Sequence, residues 1–87
     1  MHEMGIAASI LDAVQKEVDR YPGYRAAKIG VRIGEFAGVD TMSLHFCFDA
    51  IVKDSPLAPL DLAIEWRDGD ELDLGALELV ELEEAAA

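Results

Sequence analysis

The sequence predicts an α+β domain in which two helices pack on one face of a small three-stranded mixed sheet, in the order α-β-α-β-β. Three observations carry that prediction. Apolar residues change from four-residue to two-residue spacing and back along the chain. Proline and glycine clusters punctuate each change. The chain has 87 residues with 52% hydrophobic content, enough for one modest core, so residues 1–87 are read as a single domain.

From Met4 to about Arg20, Ile6, Ile10, Val14 and Val18 recur every fourth residue. Leu11 widens the stripe, and Asp12, Lys16, Glu17 and Asp19 lie off it, so the segment is an amphipathic helix. The helix is expected to stop near Tyr21-Pro22-Gly23, because proline disfavours helical geometry in the residue before it and glycine turns the chain. Over residues 26–34, Ile29, Val31 and Ile33 alternate with Lys28, Gly30, Arg32 and Gly34, the period of a half-buried strand.

After Gly34 to Gly38, Asp40 is placed as an N-cap for a second helix whose stripe is Leu44, Phe48, Ile51 and Val52, with Lys53 suiting its C-terminal end. Pro56 and Pro59 bracket a loop. Leu60, Leu62, Ile64 and Trp66 then alternate with Asp61, Ala63 and Glu65 as a second strand, which makes Trp66 a packing residue. Arg67-Asp68-Gly69-Asp70 is read as a tight hairpin turn, and Leu72, Leu74, Leu77 and Leu79 as a strand running back antiparallel, with a bulge near Gly75. The right-handed crossover rule makes the second helix the link between parallel first and second strands, with both helices on one side.

The net charge of -11 is uneven. Residues 61–87 hold ten Asp/Glu against one Arg, whereas residues 1–60 hold eight against six Lys/Arg. A phosphate backbone or an anionic lipid surface repels such a chain, so nucleic acid and membrane are excluded as partners. Cys47 is the only cysteine, which rules out an intrachain disulfide and fits a cytoplasmic location. No basic leader or long apolar run is present. Nor is there a phosphate loop, a Ser-His-Asp set or an oriented pair of carboxylates, so an enzyme is not expected.

Chemistry is sited at the N-terminus. In Met1-His2-Glu3, the terminal amine, main-chain amides deprotonated by the metal, and the His2 imidazole are local donors. Four nitrogens around one ion give the square-planar field that suits Ni(II) or Cu(II). The bulk of His2 disfavours removal of Met1, which keeps the amine in place. A tripeptide of this kind is also what a frayed, solvated chain end looks like. Elsewhere, His45 is expected at the boundary of the second helix and Cys47 as a small core residue. Met42 and Phe46 share the opposite side of that helix and are candidates for a partner surface. The run Asp68, Asp70, Glu71 and Asp73 lacks the ligand spacing of a calcium loop and is read as solvated.

Met1-His2-Glu3-Met4 with Ile6 and Ser9-Ile10-Leu11, then Val31-Arg32-Ile33-Gly34-Glu35-Phe36-Ala37-Gly38-Val39, Leu44 to Phe48, Gly69-Asp70-Glu71-Leu72 and Leu77-Glu78-Leu79, resemble successive blocks of the HypA/HybF family. The resemblance runs from Met1 to about Leu82. It implies that Met1 supplies its amine to Ni(II), His2 its imidazole and amide, and Glu3 an amide with a nearby carboxylate. Glu3 also suits the positive end of the first helix as a first-turn acid. It further implies a carrier that serves maturation of nickel-iron hydrogenase. The implied partners are a maturation GTPase, the hydrogenase large subunit and, by a second route, urease accessory proteins.

One departure is large. The family carries two CxxC pairs on a zinc ribbon between its last two strands, where this chain has only Arg67-Asp68-Gly69-Asp70. One cysteine and two histidines cannot build that tetrahedral site, so no zinc is expected there. The alternative reading is a zinc-less interaction module, natural or engineered, that docks on a maturation partner or self-associates through an exposed sheet edge.

Overall fold

The computed structural model describes residues 2–82, in the element order α1 (Glu3–Val18), β1 (Tyr24–Gly34), α2 (Thr41–Lys53), β2 (Asp61–Arg67) and β3 (Leu72–Glu81). Helix α1 buries Ala7, Ile10 and Val14, with Ile6, Leu11 and Val18 packed partly against the same core. It ends at Val18, short of the expected Arg20. The chain turns through Gly23, whose φ of 90° lies in the left-handed region that glycine enters freely.

Helix α2 begins where its cap dictates. The Asp40 carboxylate accepts a hydrogen bond from the Ser43 N–H at 3.1 Å, giving a helix-end donor its acceptor. Leu44, Phe48 and Val52 then point into the core, with Ile51 and Cys47 half-buried against it. The loop that follows is held by Ser55, whose hydroxyl donates to the Val52 carbonyl and accepts from the Leu57 N–H.

Strand β1 is the centre of the sheet, in the order β2-β1-β3, with β2 parallel and β3 antiparallel to it. The parallel β1-α2-β2 unit is the crossover that the sequence predicts. The hairpin is not. β3 runs antiparallel as expected but pairs with β1, so residues 68–71 bridge two strands that never touch through their ladders. The reason lies in burial: Ala26, Ile29, Val31 and Ile33 of β1 are all at most 2% exposed, so β1 takes the middle position with a neighbour on each side.

Residues 68–71 therefore arch over the end of β1. Gly34 N–H donates to the Glu71 carbonyl, Glu35 N–H to that of Arg67 and Phe36 N–H to that of Gly69. Gly34 has to be glycine at this crossing, because a Cβ there would overlap the main chain of Gly69 and Asp70.

The expected bulge is present: between the pairs Ile29↔Leu77 and Val31↔Leu74, Gly75 and Ala76 together face Gly30. A second irregularity, at Ala27 between the pairs Ala26↔Leu79 and Lys28↔Glu78, gave no sequence signal.

Trp66 corrects a second expectation. It is in phase with Leu62 and Ile64 and opposite Ile33, yet it is 58% exposed. It sits at the end of an edge strand, where correct alternation does not guarantee cover.

Candidate metal site at the N-terminus of α1

Helix α1 precedes β1 and runs against it, and α2 follows β1 and also runs against it. The two helices are thus parallel, and their N-termini share the end of the molecule where β1 and β2 finish and β3 starts. His2, Glu3 and Asp40 meet at that end. Met1, the remaining sequence-predicted ligand residue, lies outside the described residues.

His2 is the N-cap of α1, with extended backbone (φ -86°, ψ 97°), and its imidazole makes no capping hydrogen bond. Its carbonyl accepts the first helical bond, from the Ile6 N–H at 3.1 Å. The N–H groups of Glu3, Met4 and Gly5 precede that bond and have no acceptor within the helix. Exposed His2 stands at the rim of a groove of about 460 Å³ lined on one side by Ile6, Ser9 and Ile10 and on the other by Leu72 and Leu74.

Glu3 is half-buried in the first turn, and its Oε2 accepts a hydrogen bond from the Asp40 main-chain N–H at 3.2 Å. The side chain therefore acts between helices as well as at the dipole of its own. Asp40, expected from sequence only as a cap, thus also holds Glu3 through its main chain. The Ser43 N–H, joined by the Ser43 side chain and more weakly by the Met42 N–H, holds the Asp40 carboxyl below the ordinary carboxylate range.

Other candidates fall away from this end chemically or spatially. His45 is half-buried on α2, and Cys47 packs against the core as a small apolar residue would. Among the described residues, no three His, Cys, Asp or Glu side chains converge to hold an ion. Arg32, on the far face of the sheet, pairs with Asp73 at 2.6 Å and donates to the Leu74 carbonyl, and that partner raises its pKa. Met42 and Phe46 are 84% and 75% exposed, as their helical phase predicts. No helix among the described residues is long and apolar enough to cross a membrane.

The described residues thus form a two-helix, three-stranded α+β domain with His2 at the N-cap position of its first helix. A solved structure shares that fold: the solution structure of the Ni metallochaperone HypA from Helicobacter pylori superposes with a TM-score of 0.66, covering 97% of this chain and 100% of that one at 15% identity.

Residues 1–79 match the family model described as hydrogenase/urease nickel incorporation, metallochaperone, hypA, and the chain belongs to that family. Its relatives include the hydrogenase maturation factor HypA of Pelodictyon phaeoclathratiforme, 42% identical over 69 residues (79% of this chain, 59% of the relative). That of Desulfatibacillum aliphaticivorans is 38% identical over 66 residues (75% and 51%). That of Alkalilimnicola ehrlichii is 32% identical over 80 residues (92% and 71%). The alignments with the first two thus span little more than half the length of those relatives.

Proposed function

We propose that this chain carries Ni(II) as cargo on Met1, His2 and Glu3 and releases it into the maturation of nickel-iron hydrogenase. The donors are the Met1 amine, the His2 imidazole and amide, and the Glu3 amide. Membership of the nickel-incorporation family supports the cargo. The observation that carries the site is His2 itself: an exposed N-cap with extended backbone and an imidazole committed to no capping bond.

The neighbouring N–H groups are the unpaired donors of a helix start. The positive end of α1 favours the negative charge that amides acquire when a metal displaces their protons. Four nitrogens from consecutive residues suit a square-planar ion. The protein acts as a carrier, and transfer proceeds by ligand exchange with a partner. By family, the receiving partners are a maturation GTPase and the hydrogenase large subunit, with urease accessory proteins as a second route. The domain works without a zinc ribbon, its two outer strands being joined directly by residues 68–71.

The test is Ni(II) titration by calorimetry and absorbance on protein with its native Met1, beside His2→Ala and a version extended by one N-terminal residue. One diamagnetic square-planar site per chain, lost in both variants, is the expected result. Binding that survives in both moves the site elsewhere. Protons compete for the same nitrogens, so acid releases the metal. Nickel still held at about pH 4 overturns the chelate.

A second reading has an observation of its own. The exposed pair Met42 and Phe46 on α2 suits a docking face, and absence of nickel binding in all three proteins would put the zinc-less interaction module first.

A further inference from the structure

Strand β2 closes the sheet on one side, and its outer edge has no strand partner among the described residues. The Arg67 carbonyl accepts from the Glu35 N–H, so the main chain of Arg67 faces β1, and by alternation so does that of Glu65 and Ala63. The N–H and C=O groups of Leu62, Ile64 and Trp66 therefore point outward, towards no strand. Their side chains lie on the helix-bearing face, where Trp66 is 58% exposed.

We propose that this edge pairs with the same edge of a second copy, forming a two-fold antiparallel β2–β2 ladder centred on Ile64. Among the registers that pair most of β2, charge chooses one. Side chains on one face must meet side chains on the same face, which limits a symmetric ladder to registers centred on a residue. Centring on Glu65 sets two carboxylates directly opposite, and centring on Ala63 sets Asp61 opposite Glu65. Both are repulsive.

Centring on Ile64 instead places Asp61 opposite Arg67 of the second copy, twice by symmetry, and Glu65 opposite Ala63. It also sets Trp66 opposite Leu62, covering the ring that the monomer leaves exposed. The outward amides of Leu62, Ile64 and Trp66 become the closely hydrogen-bonded pairs of that ladder. The other edge of the sheet does not fit this partner, because Asp73, Glu78 and Glu81 of β3 are all acidic and the strand holds no base to offset them.

Sedimentation velocity from about 1 µM to about 1 mM, at about 0.15 M salt, should show a reversible monomer–dimer equilibrium. Amide exchange at Leu62, Ile64 and Trp66 should slow as concentration rises. Arg67→Asp and Asp61→Arg should each weaken the dimer by about tenfold, and the double variant should restore it, because each swap creates two like-charge pairs that the second swap removes. Circular dichroism checks that each variant folds. A monomer throughout, a dimer indifferent to the swaps, or concentration-dependent protection confined to other amides would overturn the proposal.

Discussion

Glu3 and Asp40 are linked across the two helix starts: the Glu3 carboxylate accepts from the Asp40 main-chain N–H at 3.2 Å, although 37 positions separate them. The bond joins the end of the chain proposed to hold nickel to the cap of α2.

Glu3 variants therefore separate two roles. Glu3→Gln keeps an acceptor oxygen, whereas Glu3→Ala removes it and should cost about 0.5–1.5 kcal/mol in urea denaturation, the usual net value of one hydrogen bond. Because the proposed chelate uses the Glu3 amide, both variants should still bind one Ni(II). Loss of nickel in Glu3→Gln, with the fold intact, would instead make the carboxylate a ligand.

The Asp40 cap has a defined pH window. Its pKa is lowered in the folded chain, by the Ser43 N–H first of all, so its stabilising contribution is complete above the unfolded carboxylate range and disappears as pH falls through the folded value. Asp40→Ala should lower the thermal midpoint at neutral pH. The gap from the parent protein should shrink steadily in acid below about pH 4. A gap that does not change between neutral pH and strong acid would show that the charge on Asp40 is irrelevant to the cap.

Gly34→Ala tests the crossing beneath residues 68–71. The added Cβ would meet main chain, which cannot rotate aside, and overpacking of this kind typically costs about 1–3 kcal/mol. Gly5→Ala is the control: its Cβ would find only ordinary contact with the His2 side chain. A helix-interior alanine there should be neutral or stabilising in the same denaturation experiment.

Helix α2 gives the sharpest contrast between its two faces. Phe48 is fully buried and Phe46 is 75% exposed. Phe48→Ala should cost about 3–5 kcal/mol, a large part of the total stability of so small a domain. Phe46→Ala should stay within about 0.5 kcal/mol. A destabilised Phe46→Ala monomer would show that the ring packs within its own chain and is not free for a partner.

The two periods of the sequence located every element, because Ile10, Val14, Leu44 and Phe48, and likewise Ile29, Val31 and Ile33, each lie on one face of their element. Periodicity reports which face is buried but not which strand is central. For that reason Asp68-Gly69 read as a hairpin when it is an arch, and Trp66 read as covered when it is at an open edge.

The residues of the candidate site were legible only in part. His2 and Glu3 stood out as local donors. The contact of Glu3 with Asp40 depends on α1 and α2 running parallel, which follows from the element order but leaves no mark on either residue. The extra residue at Ala27 was invisible because a bulge there needs no glycine or proline.

The arch of residues 68–71 also works as a buckle. It grips the end of β1 through Gly34, Glu35 and Phe36 while its two legs become β2 and β3. Sliding β1 along either neighbour would tear these grips first, so the alignment of both ladders is locked from one end. That end is where His2 sits, and the same loop sets where β3 begins, with Leu72 and Leu74 on the wall of the groove beside the histidine.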